Sequence, residues 1–81
     1  MSSQRVVLSS VVVCADEITP PVLQYMQEIF GPLCTPHAVP ASDHTFELTF
    51  VRSTPVRPEE QLVCRSVLEQ HHVYIESVET F

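Results

Sequence analysis

The chain has 81 residues, of which 44% are hydrophobic, and ten carboxylates against four basic residues give it a formal net charge of −6. This length supports one hydrophobic core, so we expect a single domain over residues 1–81. Negative charge repels phosphate backbones and anionic lipids, which argues against nucleic acid and membranes as partners. With no apolar stretch near the length of a bilayer span and no recognisable secretory leader, the sequence predicts an intracellular, cytoplasmic protein.

The first part of the chain predicts a strand followed by a helix. Residues 5–15 are rich in valine and lack a helical period, and apolar residues on both sides of this strand place it at the centre of a sheet. Thr19 followed by two prolines is typical of a helix start, with the threonine side chain as the cap. Apolar residues then recur at three- and four-residue spacing until Gly31 and the next proline end the helix.

The middle of the chain predicts two further strands. Residues 35–40 are apolar and bounded by prolines, which allows at most an edge strand, and residues 41–44 form the turn that follows it. Residues 45–52 alternate between an apolar and a polar face, as expected of a strand with one buried side.

The last part of the chain predicts a helix and a closing strand. A proline and two glutamates open a helix over residues 58–70. Its apolar side is expected to consist of Leu62, Val63, Val67 and Leu68, with Cys64 and Arg65 flanking. Residues 73–81 alternate again as a strand. The resulting order is β-α-β-β-α-β, so we predict an α+β fold of the split βαβ (ferredoxin-like) type. Such a fold has a four-stranded antiparallel sheet with both helices on one face.

One face of that sheet would carry no helix. The third strand offers Thr45, Glu47 and Thr49 to one face, while the first strand, which includes Val12, is apolar on both faces. A mixed face of this kind suits a moderately apolar surface for self-association or for binding another protein. A monomer whose valines are shielded by neighbouring strands fits the same pattern.

The topology also gathers polar side chains at one end of the sheet. We expect several polar residues near this end: Cys14, Asp16, Glu17, Asp43, His44, Glu69, His71 and His72. Thiolate, carboxylate and imidazole together are ligands that zinc accepts, and the candidate ligands are Cys14, Asp16, His44 and His71. Their spacing matches no zinc-binding pattern, and solvent-exposed side chains around a loop-rich edge are the better explanation.

No residue pattern typical of an enzyme is present. Cys14 and Cys64 are expected to be core thiols, because both adjoin apolar residues in an acidic chain. A chain with one glycine has no Gly-rich phosphate loop, and the third strand lacks the basic and glycine residues of an RNA-recognition motif. The sequence therefore predicts a non-enzymatic protein without a cofactor, zinc being the one possible metal.

Three Thr-Pro pairs, at Thr19, Thr35 and Thr54, resemble sites of proline-directed phosphorylation. All three lie at predicted element boundaries. Helix capping by threonine and the ending of helices and strands by proline explain these pairs without any kinase or binding partner.

The passage from the first strand through Asp16 to the prolines and the first helix resembles the start of an ACT-type regulatory domain, over about twenty residues. Such domains are split βαβ modules that pair into dimers and bind small ligands near this first loop. They usually carry glycine after the proline, where this chain has Pro21 and Val22. Our leading prediction is a protein-interaction or regulatory module, self-associating or part of a larger complex. The resemblance implies a small-ligand or metal-binding regulatory domain as the alternative.

Overall fold

The computed structural model describes residues 6–34 and 39–80, which form a four-stranded antiparallel sheet and two helices. In chain order the elements are β1 (Val7–Cys14), α1 (Pro20–Phe30), β2 (Val39–Ser42), β3 (Thr45–Arg52), α2 (Pro58–Gln70) and β4 (Tyr74–Thr80). The strands lie in the order β2-β3-β1-β4, and each neighbouring pair is antiparallel. The predicted α+β class is confirmed, with the valine-rich strand at the centre of the sheet.

The strand β2 ends later than predicted. Residues 39–42 belong to the strand, and the turn is reduced to Asp43 and His44, so the prediction of a turn over residues 41–44 is wrong in part. Residues 35–38 lie outside the described residues. Pro40 pairs with Phe46 at this edge, where a missing backbone N–H on the solvent side costs little.

A single hydrophobic core takes residues from the sheet and from both helices. Its strand residues come from one face of the two central strands, and its helix residues recur every four positions along each helix. The fully buried members with large side chains are Val11 and Val13 of β1, Leu48 and Phe50 of β3, Met26 and Phe30 of α1, and Leu68 of α2. The rings of Phe30 and Phe50 lie 5.3 Å apart between centroids and fasten α1 to β3. Burying each such side chain stabilises the fold by about 1.5–3 kcal/mol.

The core side of α2 differs in part from the predicted one. Leu68 is fully buried as predicted, but Leu62 and Val63 are 67% and 59% exposed, and the flanking residue Cys64 is fully buried instead. Residues four apart lie on the same side of a helix, so the pair formed by Cys64 and Leu68 turns toward the sheet and their apolar neighbours turn away. Neither helix within residues 6–34 and 39–80 is long and apolar enough to cross a membrane.

The helix α1 begins and ends at the predicted positions, but its cap differs. The Thr19 side chain makes no capping hydrogen bond, and only its backbone carbonyl takes part, accepting the Leu23 N–H at 2.9 Å. Prolines in the first turn lack N–H groups that would need a cap, which reduces the demand on the threonine.

After α1 the chain reverses at Gly31, which has φ of 104°. The Gly31 N–H donates to the Gln27 carbonyl at 2.9 Å and closes the last turn of the helix. The chain then runs beside β3, where the Val51 N–H donates to the Pro32 carbonyl at 2.9 Å and the Cys34 N–H donates to the Thr49 carbonyl at 2.7 Å. Residues 32–34 thus lie along β3 on the same side as β2 and continue that edge of the sheet.

Candidate functional site

The side of the sheet opposite the core, here called the outer face, is defined by the pairing register. On β1 it carries Leu8, Ser10, Val12 and Cys14, whose partners on β3 are Val51, Thr49, Glu47 and Thr45. On β4 the partners of the last three are Glu79, Ser77 and Tyr74. Directly opposed residues of neighbouring strands project to the same side of a sheet. The predicted interface residues Val12, Thr45, Glu47 and Thr49 therefore share the outer face.

The outer face carries apolar side chains on the central strand β1 and a carboxylate on each of its two neighbouring strands. Val12 lies half-buried on the central strand, although no helix packs over it. Exposed carboxylates stand on either side, Glu47 on β3 and Glu79 on β4. Within residues 6–34 and 39–80, no arginine lies on this face, because Arg52 pairs with Val7 on the core side and the others lie at or on α2.

Three of the four candidate ligands predicted at the end of the sheet are brought together there. His44 Nδ1 lies 2.9 Å from Asp16 Oδ1, and the backbone N–H of Ala15 donates to the His44 carbonyl at 2.8 Å. Cys14, Asp16 and His44 line a depression of about 520 Å³ together with Ala15, His72 and Tyr74. We call this depression the sheet-end pocket.

His71 lies apart from the sheet-end pocket. It follows the last residue of α2, and its N–H donates to the Leu68 carbonyl at 2.9 Å. With Asp16 and His72 it lines a smaller depression of about 240 Å³ beside the start of α1. Of the two neighbouring histidines predicted near this end, His72 lines the sheet-end pocket, whereas His71 was our candidate ligand. His72 adopts a left-handed backbone conformation with φ of 61°, and local residue patterns do not predict which of the two side chains this turn directs to the pocket.

The sheet-end pocket does not assemble a metal donor set among the described residues. Across residues 6–34 and 39–80, no three His, Cys, Asp or Glu side chains are grouped so that they could hold a metal ion. The side chains of His44 and Asp16 are 70% and 92% exposed, and an ion pair this exposed adds little to stability. The pocket offers hydrogen-bonding groups to a small ligand instead.

The three cysteines occupy three different environments. Cys64 is the buried core thiol that we predicted, and burial raises the pKa of Cys64 to about 11. Such a thiol is almost wholly protonated at neutral pH and is a poor nucleophile. Cys14 was also predicted to lie in the core, but it lies half-buried on the outer face because its position on β1 alternates with the core valines. Cys34 is exposed.

A second polar cluster, which the sequence did not indicate, surrounds Arg52 at the opposite end of β3. Its Nη1 donates to the Ile29 carbonyl at 2.9 Å and to Glu60 Oε2 at 3.0 Å. Its Nη2 donates to Thr54 Oγ1 at 3.0 Å and to Glu60 Oε1 at 3.3 Å. The arginine thus links the end of α1 to the start of α2. Its partners are distant in sequence, so no local pattern marks them.

The hydrogen bonds in this cluster favour the ionised form of Glu60. Its carboxylate accepts the two bonds from Arg52 and a third from the Arg57 backbone N–H at 3.1 Å. The bond from Arg52 and then that from Arg57 lower the pKa of Glu60 below its ordinary value.

No protein-family model matches the chain, and searches of curated proteins and of solved structures find no match. The resemblance of the Asp16 region to ACT-type domains gains no support from these comparisons.

Proposed function

We propose that the chain is a non-enzymatic protein-interaction module whose outer face binds a protein with an apolar centre and basic residues around it. The observation that carries this proposal is a sheet face that neither helix covers, on which Val12 pairs with Glu47 of β3 and its neighbour Ser10 pairs with Glu79 of β4. Burying the apolar side chains of β1 would supply affinity, and the carboxylates on the neighbouring strands would steer and orient a basic partner.

Charge favours a different protein over the second copy that the sequence led us to expect. Two outer faces in contact would bring Glu47 and Glu79 of both copies together, with no arginine of the described residues on the face to compensate them. Like charges placed opposite each other in an interface cost several kcal/mol. Each copy also carries a formal net charge of −6, which adds long-range repulsion.

The proposal involves no catalysis, and the state of the candidate nucleophiles supports that choice. The Cys64 thiol is buried, with a pKa raised to about 11 by burial. The paired imidazole and carboxylate of His44 and Asp16 are largely open to solvent. General acid–base and nucleophilic chemistry depend on groups activated in a water-excluding site.

The test uses ¹⁵N-labelled protein and two synthetic β-hairpin peptides that differ in charge. One hairpin alternates valine with arginine, and the other alternates valine with glutamate. We expect the arginine hairpin to shift the amide resonances of Val12, Glu47 and Thr49. Its binding should weaken between about 50 and about 300 mM salt, as rim charges are screened. We expect no binding of the glutamate hairpin.

Two matched variants decide whether the outer face is responsible. Glu47→Gln should weaken binding of the arginine hairpin, whereas Glu69→Gln, which removes an exposed carboxylate from α2, should not. If both variants weaken binding equally, the hairpin is attracted by the overall negative charge of the protein and not by the outer face. Light scattering of the protein alone should show a monomer. If it shows a dimer that Val12→Glu disrupts, the outer face binds a second copy of the chain and the proposal of a basic partner is wrong.

A second candidate function, supported by the sheet-end pocket, is binding of a small polar ligand such as an amino acid. The pocket presents a thiol, a phenol and the His44–Asp16 pair around a volume of about 520 Å³. A ligand at 100 times its dissociation constant would stabilise the protein by about 2.7 kcal/mol. Thermal denaturation with a panel of amino acids, and separately with zinc, tests this candidate. His44→Ala should abolish a true shift and His71→Ala should preserve it, whereas no shift with any compound removes the candidate.

We further propose that the fold is the split βαβ (ferredoxin-like) arrangement. The element order β1-α1-β2-β3-α2-β4, the strand order β2-β3-β1-β4 and the core shared by both helices support this assignment. Cross-strand amide contacts measured by NMR test it. Contacts of Val11 with both Leu48 and Val78 are expected from the pairing register, and absence of either would change the strand order.

We place the protein in the cytoplasm, as the sequence predicts. Cys14, Cys34 and Cys64 are all free, and Cys34 is exposed. An exposed thiol persists most readily in a reducing compartment. Fractionation of cells that express the tagged chain tests this location, and recovery from a secretory compartment would contradict it.

A further inference from the structure

We propose that Thr54 is a phosphorylation site for a proline-directed Ser/Thr kinase, and that the added phosphate draws Arg52 away from Glu60. This inference is independent of the proposed interaction surface, which lies on the outer face of the sheet.

The sequence around Thr54 differs from that around the other two Thr-Pro threonines. Thr54 is followed by Pro55 and, three positions after the threonine, by Arg57. Kinases select substrates partly by charge next to the acceptor, and many proline-directed kinases favour a basic residue at this position. No basic residue follows Thr19 or Thr35 within four positions, apart from His37 after Thr35.

The loop around Thr54 is accessible. Ser53, Thr54 and Pro55 are exposed in the loop between β3 and α2. The proline disfavours a helical conformation at Thr54 and keeps the segment open, as a kinase requires of its substrate. Thr19 contrasts with it, because it is half-buried and the proline that follows it already belongs to α1.

The transfer uses ATP as its co-substrate. Thr54 Oγ1 attacks the γ-phosphorus, and the new O–P bond forms as the bond from that phosphorus to the bridging oxygen of ADP breaks. The hydroxyl proton passes to the catalytic aspartate of the kinase, and ADP leaves.

The guanidinium groups of Arg52 and Arg57 lie near Thr54, where they would bind the phosphate. Arg52 Nη2 already lies 3.0 Å from Thr54 Oγ1, so new phosphate oxygens would form within reach of it. The Arg57 side chain is 74% exposed, and its Nε lies 3.5 Å from Glu59 and 3.8 Å from Glu60. It is therefore free to turn toward the phosphate. A depression of about 390 Å³ beside Thr54 has room for the phosphate and is lined by Arg52, Thr54, Pro55, Arg57 and Glu60.

The phosphate competes with Glu60 for Arg52. Arg52 now donates to both oxygens of Glu60, a carboxylate with a single charge. A phosphothreonine carries about −1.5 to −2 charges and three strong acceptor oxygens, so it attracts the guanidinium more strongly. Glu60 would then lose bonds from Arg52 and gain a negative neighbour, and both changes raise the pKa of its carboxyl group.

The first experiment treats the folded full-length protein with ATP and a purified cyclin-dependent kinase and locates phosphate by tandem mass spectrometry. We expect one phosphate, on Thr54, in wild type and in Thr19→Val, and none in Thr54→Val. Arg57→Gln should lower the kinase kcat/KM by about tenfold, whereas Arg65→Gln, which removes an exposed arginine from α2, should leave it unchanged. Modification of a different threonine overturns the assignment. So does failure at Thr54 in the folded protein when a peptide of residues 50–60 is modified.

A second measurement separates the site from its proposed consequence. The Glu60 carboxyl resonance is titrated by NMR in the unmodified and phosphorylated proteins. We expect its midpoint to move to higher pH on phosphorylation, and Glu69, an exposed carboxylate near the other end of α2, serves as the internal reference. An unchanged Glu60 midpoint would refute the transfer of Arg52 even if Thr54 is modified.

Discussion

Replacing Gly31 with alanine tests the most demanding backbone position of the described chain. Gly31 has φ of 104° and ψ of 178°, a region that only glycine adopts readily. A Cβ at this position would overlap the Val51 carbonyl oxygen and lie 3.1 Å from the Arg52 Cβ. The obstacle is backbone, so it cannot be relieved by rotating a side chain.

The magnitude follows from two contributions. Holding alanine in this conformation costs about 1–3 kcal/mol, and forcing the backbone apart costs a further 1–3 kcal/mol or so. The displacement would also strain the hydrogen bond from the Val51 N–H to the Pro32 carbonyl. We expect a loss of about 2–6 kcal/mol, which lowers the melting temperature of a domain of this size by at least about 8 °C.

Urea and thermal denaturation followed by circular dichroism measure this loss. Gln24→Ala, an exposed substitution on the same helix, is the control and should stay within about 0.5 kcal/mol of wild type. If Gly31→Ala unfolds within about 1 kcal/mol of wild type, the reversal after α1 does not need a positive φ and our account of this turn is wrong.

Three further measurements probe the cysteines, the Arg52 cluster and the turn after α2. Iodoacetamide at pH 8 should modify Cys34 in the folded protein and Cys64 only on unfolding, because burial raises the pKa of Cys64 to about 11. Simultaneous labelling, seen by mass spectrometry of a digest, would contradict that burial. Glu60→Gln should lower the melting temperature at pH 7, since a carboxyl group whose pKa is lowered by folding stabilises the protein above its unfolded pKa of about 4.3. That stabilisation is lost as the pH falls through the lower folded pKa, and a difference from wild type that persists at about pH 2 would contradict the linkage. His72→Gly should stabilise the protein by about 0.5–1 kcal/mol in urea denaturation, because relief of its left-handed conformation outweighs the added freedom of the unfolded chain. A loss of stability would show that the imidazole makes a favourable contact.

The candidate sites were predictable to different degrees. Val12 and Glu47 could be assigned to one face because strand alternation is a local property and antiparallel pairing preserves it. Grouping Asp16 with His44 followed from the connectivity of the strands. The Arg52–Glu60 pair could not be anticipated, because it depends on where β3 ends relative to the start of α2.

Most of the secondary structure could be predicted from local signals in the sequence. Alternation predicted β3, and prolines, glutamates and periodic apolar residues predicted α2, each with the bounds that the structure shows, whereas the end of β2 was misplaced. The side of α2 that faces the sheet depends on tertiary packing, because apolar residues occur around more than one side of that helix. The tertiary structure likewise decided that Cys14 lies on the outer face and that His72, not His71, enters the sheet-end pocket. In each case the orientation of a side chain depends on the element packed against it, and the residues of that element are distant in the sequence.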